Sequence, residues 1–322
     1  MAARTTTSAD VLRVRFEKHA EVWIAALPSL ALYAPMAYLM RLPAKRVRPV
    51  AVLMGCELFG GEVESALDEA LGIELFHNFT LMHDDIMDHA PLRRGQPTVH
   101  AKWDVNTAIL SGDAMLVKAY QLMGRHPKVL ALFSEHALGV CEGQQLDMEF
   151  ETRHDVGADE YLEMIRLKTA VLLRCAVQTG ALVAGASEEQ AARLGTFGEE
   201  LGLAFQLRDD ILDAFGDPKK VGKQQGGDLR AGKKTWILIR ALELSSAADR
   251  SELREELARS SSERDVPRML GVLHELDLPA LAADELDRHH QKAMAALEAV
   301  VAPDDGKEAL RALAASLLQR AS

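Results

Sequence analysis

Apolar residues recur at helical spacing along most of the chain. The clearest case is residues 64–90, a long apolar stretch without proline that is expected to end before Pro91. No strand alternation of useful length is visible, nor any internal repeat apart from the acidic pair described below. The pattern predicts an all-α fold with helices near 8–26, 50–58, 64–90, 103–123, 127–150, from 158 onward, 188–215, 236–245, 249–259, 265–275, 279–299 and 307–320.

The first acidic cluster, Asp84, Asp85 and Asp88, lies at the end of the apolar stretch. On a helix Asp84 and Asp88 are one turn apart on the same face, with Asp85 beside them. Three like charges this close are unfavourable alone, so they call for a cation. Hard oxygen ligands with room for water and phosphate suit Mg²⁺ better than zinc. Taken by itself, such a cluster is more often a solvated helix end.

The same spacing returns in Asp209, Asp210 and Asp213, which also follow an apolar run, residues 201–205. Two carboxylate triads on separate apolar helices can face each other across a bundle core. Coincidence then becomes a poor explanation, and we expect a paired magnesium site. Because the two motifs must share a cavity, we expect one domain over residues 1–322.

Both acidic motifs resemble those of the polyprenyl synthetases, the trans-isoprenyl diphosphate synthases. In that family the first motif reads DDxxD, four residues and RRG, as residues 84–95 do, and the second reads FQxxDDxxD, as residues 205–213 do. The resemblance implies an isoprenoid-synthase-type helical bundle around a central cavity. It also implies a homodimer, three Mg²⁺ ions per active site, and condensation of isopentenyl diphosphate with allylic diphosphates (dimethylallyl, geranyl, farnesyl).

By the same resemblance, Lys45, Arg48, His77 and Arg94 bind the diphosphate of isopentenyl diphosphate. The family carries Gly-Gly before the basic motif, whereas this chain has Pro43-Ala44. Pro43 cannot supply a positive φ if the loop requires one. We therefore expect a different loop that keeps the charged groups.

The resemblance assigns Arg93, Lys168 and Thr169 to the allylic diphosphate, and Gln206 to the catalytic set. It also assigns Lys223 and Lys233, in a Gly- and Lys-rich loop, to closure over the leaving diphosphate, with Asp228 supporting the second motif. From spacing alone, Gln144 and Asp147 lie at i and i+3 and could line the same cavity. A core amide paired with the backbone is an equally good interpretation of Gln144.

Two residues are candidates for setting product length. The resemblance selects Phe79, the fifth residue before the first aspartate, where an aromatic ring is similar to that of short-chain synthases. Helical geometry instead selects Thr80, which is nearly in line with Asp84. With Phe79 large and Thr80 small, we expect mainly a C20 product, geranylgeranyl diphosphate, with C15 farnesyl diphosphate second.

Composition adds limits to this interpretation. The chain has 322 residues, 48% hydrophobic, and a net charge of −11, which argues against a nucleic-acid binder. The basic residues nevertheless flank the motifs, and the local field decides what binds. The three cysteines lack CxxC spacing, so we expect no disulfides and a cytoplasmic setting. No apolar run reaches about 18 residues, so we expect a soluble protein without a membrane span. The adjacent pair His289 and His290 is expected at the surface.

Two alternatives remain open. One is a terpene cyclase on a similar helical fold, although cyclases usually carry one DDxxD motif and need no isopentenyl site. The other is a non-catalytic subunit of a heteromeric synthase, although such subunits commonly lose aspartates and both triads are complete here.

Overall fold

The structure is a computed structural model that describes residues 7–217, 225–245 and 247–319. Within these ranges the chain is almost wholly helical, so the all-α prediction is confirmed. The α-helices are α1 (Ala9–Ala25), α2 (Ala34–Arg41), α3 (Val47–Leu58), α4 (Leu67–Met87), α5 (Val99–Lys102), α6 (Val105–Met123), α7 (Pro127–Thr152), α8 (Ala158–Ile165), α9 (Val171–Val183), α10 (Glu188–Phe215), α11 (Gly227–Ala231), α12 (Trp236–Leu244), α13 (Ala247–Ala258), α14 (Val266–Glu275), α15 (Leu278–Glu298) and α16 (Asp304–Leu318).

Shorter elements join these helices. Two 3₁₀ turns, Ala31–Tyr33 and Val63–Ala66, precede α2 and α4, and a π-helical segment, Arg166–Ala170, joins α8 to α9. The strands of the described residues are β1 (Leu92–Arg93) and β2 (Gln96–Pro97), which pair antiparallel in a single hairpin. The sequence therefore located most helices but predicted no break between α8 and α9.

Residue contacts divide the chain into two compact units. Unit 1 comprises Met1–Ala137, Cys175–Gly195 and Val300–Leu310, and unit 2 comprises Leu138–Arg174, Thr196–Ala299 and Arg311–Ser322. Four of the five boundaries fall inside helices, namely α7, α9, α10 and α16, and the fifth follows α15. The expectation of a single domain stays a prediction, and each unit is described by itself.

In unit 1 the core forms around α4, which packs most extensively against α6 and also contacts α1, α2 and α3. Its apolar residues Leu71, Ile73 and Leu75 are fully buried. Small residues allow the close approach: a Cβ on Gly112 of α6 would come within 2.3 Å of Nε2 of His83. The last turn of α4 ends at Met87, earlier than expected from Pro91, and Asp88 caps it.

In unit 2, α12 contacts α8 and α15, while α14 contacts α11, α13 and α15. The apolar core includes Tyr161, Leu207, Trp236 and Leu273. The expectation that both adjacent histidines lie at the surface is wrong for His289, which is only 4% exposed. Its two ring nitrogens lie 2.6 Å from Glu200 Oε2 and 3.3 Å from Glu285 Oε1, so its polar groups are satisfied inside the fold.

None of the helices in the described ranges is long and apolar enough to cross a membrane.

Within unit 1, α3 meets the part of α9 that begins at Cys175 through two glycines, Gly55 and Gly180, and this contact can be tested. A Cβ at Gly180 would lie 1.9 Å from the carbonyl oxygen of Val52, which is backbone and cannot rotate away. We expect Gly180→Ala to lower the free energy of unfolding by about 1–3 kcal/mol or more, despite the better helix propensity of alanine.

The control is Gly271→Ala on α14, where a Cβ would meet nothing within 4 Å. That variant should be neutral or slightly stabilised in urea denaturation. Equal stability of the Gly180→Ala variant and the parent would contradict the close approach.

Candidate functional site

The first aspartate motif occupies the last turn of α4. Asp85 is buried, with 2% of its surface exposed, whereas Asp84 is half-buried and Asp88 is exposed. Both oxygens of Asp85 accept hydrogen bonds from Arg93: Nη2 donates to Oδ1 at 2.7 Å and Nε to Oδ2 at 2.8 Å. Asp85 is thus held by the protein, and Asp84 and Asp88 share the other face of the helix.

The hairpin that follows α4 returns Arg93 to this helix. Its two turn residues, Arg94 and Gly95, have φ values of 53° and 74°, as a type I′ turn requires. This turn explains the glycine of the RRG sequence. The register pairs Arg93 with Gln96 and places the Arg93 guanidinium on Asp85.

A cluster of arginines surrounds His77 on α4. Arg48 lies with Nη1 at 3.3 Å from Nε2 of His77. The pKa of His77 is well below its usual value because the ring is desolvated, and because Arg48, Arg94, Arg93 and Arg46 add positive charge nearby. His77 is therefore neutral, and its Nε2 accepts the hydrogen bond from Arg48.

Arg46 has a structural position that the sequence did not reveal. It is buried, adopts a left-handed φ of 52° as the N-cap of α3, and pairs with Glu74 of α4 at 2.5 Å. Its guanidinium also donates to the carbonyls of Met40 and Leu42 at the end of α2. The positive φ of this loop thus falls at Arg46, and not at Pro43 or Ala44. The one available signal was Glu74, an acid inside an apolar stretch.

The remaining basic candidate of this loop, Lys45, is exposed.

The second aspartate motif lies near the end of α10 and is built like the first. Asp210 is 4% exposed; the hydroxyl of Tyr161 donates to its Oδ2 at 2.6 Å and the amide of Gln206 to its Oδ1 at 3.2 Å. Asp209, on the more open face, pairs with Arg208 at 2.9 Å. Asp213 accepts the backbone N–H of Asp228 at 2.8 Å, which ties α11 to the motif. Sequence reasoning missed Tyr161, which lies 49 residues away from its partner.

Burial raises the pKa of Asp210 to about 7, and Asp228 adds to the effect. The hydrogen bonds from Tyr161 and Gln206, and the charge of Lys233, act in the opposite direction. Burial and the Asp210 charge also raise the pKa of Tyr161 well above its usual value, so the phenol stays a donor. The Lys233 charge thus lowers the pKa of an aspartate of the second motif, Asp210.

Lys168 and Thr169 lie in the π-helical segment between α8 and α9. The Lys168 ammonium is 2.5 Å from Oδ2 of Asp147. One member of the predicted cavity-lining pair, Gln144 and Asp147, therefore contacts Lys168. Gln144, one turn earlier on α7, has a buried Oε1 without a hydrogen-bond partner. An unsatisfied buried acceptor requires a donor from water or a ligand.

The Gly- and Lys-rich loop is described only in part, and Lys223 lies outside the described residues. Lys233 is exposed, and its backbone N–H donates to the carbonyl of Asp228 at 2.9 Å. The neighbouring Lys234 donates to the carbonyls of Phe150 and Glu151 in the last turn of α7. A lysine at a helix C-terminus is favourable there, and it anchors the end of the loop.

Phe79 and Thr80 are both partly exposed on α4. The Phe79 ring packs against Phe76 and His83, with centroid distances of 5.6 and 4.8 Å. The Thr80 hydroxyl donates to the carbonyl of His77 within the helix.

Among the residues that the structure describes, no group of three or more His, Cys, Asp or Glu side chains forms a complete metal site. In each triad the buried second aspartate, Asp85 or Asp210, accepts hydrogen bonds from protein side chains. The remaining donor set still fits Mg²⁺, which keeps several waters and is held by one or two carboxylates together with substrate phosphates.

Residues 30–273 match the sequence model of the family described as polyprenyl synthetase. The chain is similar to a geranylgeranyl diphosphate synthase of Sulfolobus acidocaldarius, with 36% identity over 301 residues that cover 90% of this chain and 91% of the relative. Other relatives at comparable identity are named geranylfarnesyl diphosphate synthase.

Solved structures give the same result. A geranylgeranyl pyrophosphate synthase crystal structure superposes with a TM-score of 0.92 at 40% identity, covering 98% of this chain and 100% of the other. A geranylgeranyl pyrophosphate synthase from Corynebacterium glutamicum, complexed with isoprenyl diphosphate and magnesium, has a TM-score of 0.80 at 28% identity, covering 97% and 98%.

The raised pKa of Asp210 makes stability depend on pH. Between pH about 4 and 7 the unfolded carboxyl is ionised while the folded one keeps its proton, so the protein loses stability as pH rises. Replacement by asparagine removes this loss. Relative to the parent, Asp210→Asn should gain up to about 4 kcal/mol of unfolding free energy between pH 4 and 8.

The measurement is urea denaturation in a metal-free buffer at several pH values. Tyr161→Phe serves as the comparison, because losing a hydrogen bond to the carboxylate raises the Asp210 pKa further and extends the window upward. A stability difference between Asp210→Asn and the parent that is the same at pH 4 and pH 8 would contradict this account.

Proposed function

The chain belongs to the polyprenyl synthetase family and is a short-chain prenyltransferase; we propose that it condenses isopentenyl diphosphate with allylic diphosphates to give mainly geranylgeranyl diphosphate, with farnesyl diphosphate second. The observation that carries this proposal is the pair of complete aspartate motifs, each with its second aspartate held by protein donors. The relatives named as geranylgeranyl diphosphate synthases support the C20 product.

The metal is Mg²⁺, with three ions per active site. Each motif provides two carboxylates on one face of its own helix: Asp84 and Asp88 in the first motif, and Asp209 and Asp213 in the second. That all six aspartates are ligands stays a prediction. We propose that the outer aspartates carry most of the metal binding, because Asp85 orients Arg93, and Asp210 is held by Tyr161 and Gln206. When bound, the metal supplies Lewis-acid neutralisation of the diphosphate.

The chain itself neutralises the rest of the allylic diphosphate. Its oxygens are contacted by four cations, Arg93, Lys168, Lys223 and Lys233. Further hydrogen bonds come from Thr169 and Gln206. As the allylic carbon–oxygen bond breaks, negative charge grows on the diphosphate, and cations fixed in advance favour that state over the ground state. The Arg93–Asp85 pair shows how such a guanidinium is kept in place without substrate.

The isopentenyl diphosphate is bound by a second group of residues: Lys45, Arg48, His77 and Arg94. His77 is neutral and acts by orienting Arg48, whose planar donors suit phosphate oxygens. The double bond of isopentenyl diphosphate attacks the allylic cation, and a proton then passes to the departing diphosphate. No protein nucleophile is needed, and the apolar surroundings exclude water that would quench the cation.

The protein works as a homodimer in the cytoplasm. Exposed apolar side chains on α6 support self-association: they are Val105, Ile109, Leu110 and Val117, each more than 40% exposed. Several exposed apolar residues on one element are a feature of protein–protein contact surfaces.

The test of the function is product analysis with Mg²⁺, isopentenyl diphosphate and the C5, C10 or C15 allylic diphosphate. We expect elongation from each primer with products ending mainly at C20. Folded protein that elongates no primer would contradict the proposal. A cyclic hydrocarbon would then indicate a terpene cyclase, and inactivity without a partner would indicate a non-catalytic subunit.

The same assay tests the chain-length residues. Phe79→Ala should lengthen the main product by one or more C5 units, because it removes the ring that limits the growing tail. Thr80→Phe is the matched variant one position on, and should shorten it if the residue in line with Asp84 faces the tail. Unchanged products from Phe79→Ala would remove Phe79 from the account.

A further inference from the structure

The backbone around Lys168 departs from the α-helix. Residues Arg166–Ala170 form a π-helical segment in which the N–H of Val171 bonds to the carbonyl of Arg166, five residues back. Such single turns are rare and cost stability, and they occur frequently at functional sites. The extra residue changes the direction in which Lys168 leaves the helix.

Two glycines hold this segment from both sides. A Cβ at Gly143 of α7 would lie 2.3 Å from the backbone nitrogen of Lys168 and 2.7 Å from its Cα. A Cβ at Gly202 of α10 would lie 2.7 Å from the Cα of Ala170. Both neighbouring helices therefore touch the backbone of the π-helical segment, and no larger residue fits at either contact.

The same face of α7 also fixes the end of the lysine side chain. Asp147 lies four residues after Gly143, one turn along that face. Its Oδ2 is 2.5 Å from the Lys168 ammonium. The glycine thus sets the distance between the two helices, and the carboxylate one turn later sets the direction of the side chain.

Lys168 needs such a partner because its side chain is only 24% exposed, so its ammonium is partly removed from water. An ammonium has three donors and rotates freely on a flexible stem. With one donor on Asp147, two remain for phosphate oxygens.

We propose that Gly143, Asp147 and Gly202 are positioning residues that hold the Lys168 ammonium in place before the allylic diphosphate binds. This inference rests on the role proposed above for Lys168. Positioning of this kind matters because a displacement of about 1 Å at a reacting centre can cost about 100-fold in rate.

The test is a double-mutant cycle on the intact enzyme, with kcat and KM measured for both substrates. Asp147→Asn keeps the shape and removes the charge, so we expect kcat to fall about 10-fold to 100-fold while KM for isopentenyl diphosphate changes less than twofold. Lys168→Ala should lose about 100-fold or more. In the Lys168→Ala background, Asp147→Asn should then cost nothing further.

Matched controls separate positioning from folding. Glu149→Gln neutralises an exposed acid two residues away on α7 and should keep the parent kcat. Gly143→Ala should lower kcat as Asp147→Asn does, whereas Gly139→Ala, where a Cβ would make ordinary contacts of 3.5 Å or more, should not. If Gly143→Ala does not fold, the isosteric Asp147→Asn cycle still decides the question.

Two results would overturn the inference in distinguishable ways. An Asp147→Asn loss of the same size with and without Lys168 means that Asp147 acts by another route. Full activity of Lys168→Ala removes the role of Lys168 and this inference with it. The parent enzyme is assayed in the same experiment, so a failure of the proposed prenyl transfer itself would be seen separately as an inactive parent.

Discussion

A carboxylate that leaves water must find donors or a cation, and this constraint governs both aspartate motifs. On a helix the DDxxD spacing places the first and last aspartates on one face and turns the second aspartate about 100° away. In both motifs that second aspartate is buried and satisfied by the protein: Arg93 for Asp85, and Tyr161 with Gln206 for Asp210. The outer carboxylates keep the more open positions, where a hydrated metal ion and a diphosphate can be accommodated.

The buried and half-buried basic residues also need partners. Positive charge is concentrated around His77, and two of the arginines there have contacts that keep them in place. Arg46 is paired with Glu74 and caps α2, and Arg48 contacts the neutral His77. In unit 2, the Lys168 ammonium pairs with Asp147, and the backbone around Lys168 packs against Gly143 and Gly202. These partners fix the cations before substrate arrives, which is what transition-state stabilisation by charge requires.

Much of this could be predicted from the sequence, because helical periodicity and the two acidic motifs are local signals. The helices, the paired motifs and the family followed from residues close together in the chain. The π-helical segment could not be found that way, since it depends on Gly143 and Gly202 from other helices. Tyr161 was missed for the same reason, and so was the burial of His289, whose partner Glu200 lies 89 residues away.

The central claim is that the second aspartate of each motif positions the protein's own donors while the outer aspartates bind the metal. Its most direct test is calorimetric binding of inorganic pyrophosphate at a series of Mg²⁺ concentrations. Asp84→Asn should require about tenfold more Mg²⁺ for half-maximal binding, the loss of one charged oxygen ligand being worth about 1.4 kcal/mol or more. Asp85→Asn should weaken pyrophosphate binding through Arg93 but leave the Mg²⁺ midpoint at the parent value. An equal shift of the Mg²⁺ midpoint in both variants would contradict the claim.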